Sequence, residues 1–183
     1  MNRRRLLAGL TGVGVVGVGW GVSSDALSAD ALSTGQASDA NTVDERVETV
    51  DAPGSTSGEQ PIPADGPLLI DFMSVTCSVC SDSMPALVET YEQYGESVSF
   101  LSVSTDAVGF SVDESTLADW WADHDGQWSL GVDPQLAVTQ TMAVSAVPTT
   151  VLVDERGRLV DRLRGEKTTA ELAAMIEPVV DGA

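Results

Sequence analysis

Apolar residues run almost unbroken from Leu68 to Met73, interrupted only by Asp71. Such a short run predicts a strand buried on both faces. From about Val79 to Tyr94 the apolar positions take helical spacing, and Gly95 suits the end of that helix. The two periods then alternate. Val98–Val103 predicts a second buried strand, and Asp113 or Ser115 can cap a helix that carries Trp120, Trp121 and Ala122 and ends near Gly126. Trp128–Val132 predicts a short strand. Asp133-Pro134 predicts the start of a helix reaching about Met142, with proline in its first turn. Thr149–Val153 and Leu159–Leu163 read as a hairpin around Asp154-Glu155-Arg156-Gly157, where glycine tolerates left-handed geometry. Thr168-Thr169-Ala170-Glu171 is a capping box that opens a last helix, about Thr169–Val180. Strands alternating with helices and closed by a hairpin predict an α/β sandwich, a central mixed sheet flanked by helices.

The first 66 residues lack this pattern. In residues 1–22, Arg3, Arg4 and Arg5 precede a stretch of Leu, Ala, Gly and Val, the charged start and apolar middle of an export segment. Adjacent arginines followed by Leu6-Leu7 resemble a twin-arginine signal. Leu6–Val22 also reaches the lower limit for a spanning helix, so a cleaved leader and a retained membrane anchor are both open. Residues 23–66 are rich in Ser, Ala, Asp, Gly and Thr and read as a disordered acidic tether, with Arg46–Val50 as its one candidate strand. The folded domain is expected over 67–183, at the outer face of the cell membrane or secreted.

Charge narrows the partners. The chain has 28 acidic and nine basic residues, a net charge of -19, and Lys167 is its only lysine. Phosphate binding needs clustered positive charge, so a nucleic-acid partner is excluded. A charge this large self-repels unless salt screens it, and the lysine-poor acidic composition resembles proteins of salt-loving archaea.

The candidate chemistry lies in Cys77-Ser78-Val79-Cys80, which holds the only two cysteines of the chain. One thiol of such a pair attacks a partner's disulfide and the second resolves the mixed disulfide. The preceding strand and following helix place Cys77 at a helix N-terminus, where unpaired N–H groups and the dipole favour a thiolate. A strand–CxxC–helix context reads as redox chemistry. Bridging so small a loop removes little unfolded-state entropy, which weakens the reading as a structural staple. A zinc site needs two further ligands, and the chain has one histidine, His124, in a polar run of acids. No metal is expected there. Asp82, soon after the second cysteine, is expected in the first helical turn, where its charge opposes a thiolate on Cys77.

Four features together resemble the thioredoxin superfamily, and within it the exported TlpA/ResA-type thiol-disulfide oxidoreductases, over roughly Pro67 to Val180. They are the Cys77/Cys80 pair, Ala146-Val147-Pro148-Thr149 entering a strand, Asp71 six residues before Cys77, and Pro85 five residues after Cys80. A helix–strand insertion from Asp113 to Val144 adds to the likeness. The resemblance implies a thioredoxin-like three-layer fold with Cys77 as the exposed nucleophile and Cys80 as the buried resolving thiol. It implies a cis Val147-Pro148 bond whose loop pairs with an extended substrate, and a buried Asp71 of raised pKa that takes the proton from Cys80. Thr76 stands where the family usually has an aromatic residue, beside the substrate, and Met73 replaces the usual Trp. No counterpart of the TlpA type's N-terminal hairpin is evident before Pro67.

These observations point to dithiol–disulfide exchange with protein substrates, without a bound cofactor. Reduction is the favoured direction, as in cytochrome c maturation or general disulfide reduction, with a membrane electron donor re-reducing the pair. Two alternatives stand beside it. One is a non-catalytic binding module with a static Cys77–Cys80 bond. The other is a peroxiredoxin-like peroxidase built on Ser74-Val75-Thr76-Cys77.

Overall fold

A computed structural model describes residues 42–181. The expected export segment and the expected tether up to residue 41 lie outside the described residues. Seven strands form one mixed sheet in the order β2-β1-β5-β4-β3-β6-β7. Inside it lies β3 (Leu68–Met73), with all six residues buried, flanked by parallel β4 (Ser99–Ser104) and antiparallel β6 (Thr149–Val153). β5 (Ser129–Val132) runs parallel to β4, and β7 (Leu159–Arg164) closes the hairpin with β6.

Successive residues of β3 face opposite sides. Leu69 and Met73 pack with Met84 and Leu87 of α1 (Ser78–Tyr94), Leu117 and Trp121 of α2 (Glu114–Asp123), and Leu172 and Ile176 of α4 (Thr169–Val180). Leu68, Ile70 and Phe72 pack on the other side with Val138 of α3 (Ala137–Thr141) and the neighbouring Met142. The three layers are those the sequence implies, and the CxxC segment follows the C-terminal end of β3.

The folded part begins before residue 67, where the sequence predicts a tether. Residues 42–66 carry β1 (Glu45–Thr49) and β2 (Gly58–Ile62), an antiparallel hairpin whose first strand pairs with β5. Val43, Val47 and Ile62 are buried. These apolar residues are sparse and separated by polar ones, so mean composition hid them; each is held by a tertiary partner that local sequence does not reveal. A hairpin that the sequence before Pro67 does not make evident is therefore present.

The third helix is shorter than expected. Asp133 and Pro134 form a turn, Leu136 adopts left-handed geometry (φ 58°), and α3 begins at Ala137. Buried Asp133 directs this by accepting from the N–H groups of Ala137 and Thr139, both at 2.8 Å.

Candidate redox site

Cys77 is the N-cap of α1 and is bonded to Cys80, with the Cα atoms 5.2 Å apart. The extended N-cap backbone lets the Cys80 N–H donate to Cys77 Sγ at 3.2 Å. A thiolate at this sulfur would keep that donor and the helix dipole. Asp82 is the fifth residue of α1 and exposed, and the first turn holds no acidic residue. The opposing charge expected there is thus moved out of the first turn. The two sulfurs differ in access, since Cys77 is half-buried and Cys80 is buried. Pro85 stands inside α1, as expected.

The Val147–Pro148 peptide bond is cis, and the Val147 carbonyl oxygen lies 3.9 Å from Cys77 Sγ. Beside it a groove of about 260 Å³ is lined by Thr105, Leu136, Thr139, Val144 and Val147. Val79, Phe110 and Leu136 are exposed, Phe110 by 87%. Val79 lies within the CxxC segment after β3, and the other two follow the C-terminal ends of β4 and β5. The three parallel strands therefore deliver three apolar side chains to the edge that carries Cys77.

Asp71 is buried in the middle of β3, on the face it shares with Leu69 and Met73, the side that packs on Cys80. Its Oδ1 accepts from the Thr150 hydroxyl at 2.7 Å and from the Lys167 ammonium at 2.8 Å. Lys167 is as buried as its partner. Thr150 is opposite Asp71 in the β3–β6 ladder, whereas Lys167 comes from the turn before α4. The attraction between the two groups offsets the cost of burying them. Both bonds converge on Oδ1, and Oδ2 has no hydrogen-bond partner among the described residues.

Two groups here were not anticipated as site residues. Lys167 left one trace, as the only lysine in a chain that otherwise uses arginine. Asp106 left none; it follows β4 and accepts from Ser74, Val75 and Ser104 in and beside the loop before Cys77. His124 stacks on Trp120 at 4.1 Å, with Nδ1 2.7 Å from the Trp120 carbonyl oxygen, and lines a cavity with Ser81, Met84 and Pro85 of α1.

The profile of the Redoxin family matches residues 64–176. A thiol-disulfide oxidoreductase, ResA, from Bacillus cereus is 23% identical over 114 residues, 61% of this chain and 62% of that protein. The chain therefore spans less than two thirds of that relative's length. A second, YkuV from Bacillus subtilis, is 27% identical over 106 residues, 58% of this chain and 71% of that protein. Among solved structures, StoA from Bacillus subtilis superposes with a TM-score of 0.62 at 17% identity, covering 75% of this chain and 99% of that one. A thiol:disulfide interchange protein from Bacteroides superposes with a TM-score of 0.61 at 23% identity, covering 78% and 91%. The fold is thioredoxin-like.

Proposed function

This chain belongs to the Redoxin family, whose match spans every residue of the site, and from that premise we propose that it is a thiol-disulfide oxidoreductase acting on proteins. Cys77 is the nucleophile. In the reductive direction its thiolate attacks one sulfur of a client disulfide, forming a mixed disulfide and releasing the first client thiolate. Cys80 then loses its proton to Asp71 and attacks Cys77 Sγ. The Cys77–Cys80 bond forms, the second client thiolate leaves, and two electrons have passed to the client. The same steps reversed insert a disulfide.

The observation that carries this reading is the placement of Cys77. It caps α1, keeps an N–H donor at its sulfur, and lies against the Val147 carbonyl in a loop with room for an extended chain. The chain's likeness to the TlpA/ResA type favours the reductive direction, with a membrane electron donor restoring the dithiol. The arginine-led N-terminus favours twin-arginine export, which places the domain at the outer face of the membrane or outside the cell. The acidic surface suits molar salt, as in a salt-loving archaeon.

The test is covalent trapping. Cys80→Ser is expected to accumulate mixed disulfides with client proteins, and Cys77→Ser to form none. A Cys77→Ser variant with full exchange activity would remove this reading. The reduction potential sets the direction, since a value near about -270 mV belongs to a reductant and one near about -120 mV to an oxidant. A bond inert to glutathione would instead favour the binding module.

A further inference from the structure

The loop before the attacking cysteine has a hydrogen-bond direction that the donor count fixes. Ser74 Oγ lies 2.7 Å from Asp106 Oδ1, and Asp106 Oδ2 accepts from the Val75 N–H and the Ser104 hydroxyl, both at 2.9 Å. Thr76 in turn lies on Ser74. Its backbone N–H donates to Ser74 Oγ at 3.2 Å, and its Oγ1 is 3.0 Å from the same atom. A carboxylate only accepts, and a serine hydroxyl has one hydrogen. Ser74 therefore donates to Asp106, and its lone pairs take the N–H and the O–H of Thr76. The single hydroxyl hydrogen of Thr76 points inward. What this exposed residue presents beside Cys77 is an oxygen lone pair.

We propose that Asp106 is a positioning residue that sets this polarity, so that Thr76 Oγ1 accepts an amide N–H of the incoming client instead of donating to the Cys77 thiolate. The proposal rests on the disulfide-exchange reading and specifies what its site selects. An extended polypeptide carries N–H groups beside its disulfide; a small disulfide without N–H or O–H has nothing for Thr76 to hold.

The experiment compares reduced wild type with Thr76→Val, Thr76→Ser, Ser74→Ala and Asp106→Asn. Each is reacted with a disulfide-bridged peptide and with 5,5′-dithiobis(2-nitrobenzoate), which has no N–H or O–H donor. Thr76→Val is expected to lower the ratio of the two rates about three- to tenfold, the effect of one ordinary hydrogen bond, and Thr76→Ser to restore it. Ser74→Ala and Asp106→Asn are expected to lower the ratio comparably, and neither to lower it further on a Thr76→Val background. Titration of the Cys77 thiolate by its ultraviolet absorbance is expected to be unchanged in Thr76→Val. An upward shift would mean that the hydroxyl donates to the sulfur, and an unchanged rate ratio would mean that the client ignores it; either overturns the proposal. A further loss from Asp106→Asn in the Thr76→Val background would overturn the role of Asp106. If wild type reacts with neither disulfide, the exchange reading fails, while the thiolate titration still tests the polarity.

Discussion

Lys167 donates to Asp71 across 2.8 Å, tying the turn before α4 to the middle of β3 with both side chains out of water. Burying two charges costs several kcal/mol each, and their attraction together with the Thr150 bond offsets it. Removing one partner leaves the other uncompensated. Lys167→Met is expected to lower stability by about 3 kcal/mol at neutral pH. Urea unfolding of the variant beside wild type measures this; an unchanged midpoint would argue against the buried pair.

Asp71 also faces the layer that holds Cys80, and its Oδ2 is uncommitted, which suits it to receive the Cys80 proton. Asp71→Asn cannot take that proton. Resolution of the mixed disulfide is expected to slow about 100-fold, the ordinary worth of a positioned base. Quenched-flow measurement of the mixed disulfide's lifetime separates this step from attack by Cys77. An unchanged lifetime would assign the base elsewhere.

The legible parts of the sequence were those where local pattern and tertiary role coincide. Leu68–Met73 reads as a central strand because both of its faces are buried, and Thr168–Glu171 reads as a capping box because its four residues suffice. Cys77 at a helix start follows from adjacency alone. The site's polar supports were not legible, because their partners are distant in sequence. Asp71 and Lys167 are 96 residues apart, and Ser74 and Asp106 are 32 apart. Asp133 misled for the opposite reason. Asp-Pro before a helical stretch resembles a helix start, and here the same aspartate caps a helix that opens one turn later.

The capping box carries a pH signature. Hydrogen bonds from the Thr168 hydroxyl and backbone N–H hold the Glu171 carboxyl below its ordinary value of 4.5. For Asp154, burial pushes the carboxyl up, but bonds from Arg158 and from the Arg156 N–H outweigh it and hold it below 3.8. A carboxyl depressed by folding contributes stability that is present above its unfolded pKa and lost as pH falls through its folded one. Wild type is therefore expected to hold a plateau above about pH 5 and to weaken below it. Glu171→Gln removes one contribution. Its melting temperature is expected below wild type on the plateau and to converge with it in acid, measured by circular dichroism; parallel curves would count against the box as the source.

The hairpin β1–β2 is part of the folded unit and not a dispensable lead-in. Val43, Val47 and Ile62 are each at most 5% exposed, and the Trp121 indole N–H donates to the Pro53 carbonyl at 3.0 Å. Burying three such apolar side chains stabilises by about 5 kcal/mol, against a total of about 5–15 kcal/mol for a typical domain. A chain beginning at residue 67 is expected to lose its cooperative transition or to unfold at much lower urea than one beginning at residue 42. The contact itself can be tested within the intact chain. A Cβ on Gly131 of β5 would lie 2.3 Å from Val47 Cγ1 and 3.3 Å from the Glu48 carbonyl oxygen. Gly131→Ala must therefore push β1 from β5, and it is expected to cost about 1–3 kcal/mol as overpacking. Val47→Ala removes the Cγ1 that the new Cβ meets, so in that background the same substitution should cost less. Equal costs in the two backgrounds would mean that β1 does not sit on β5 in solution.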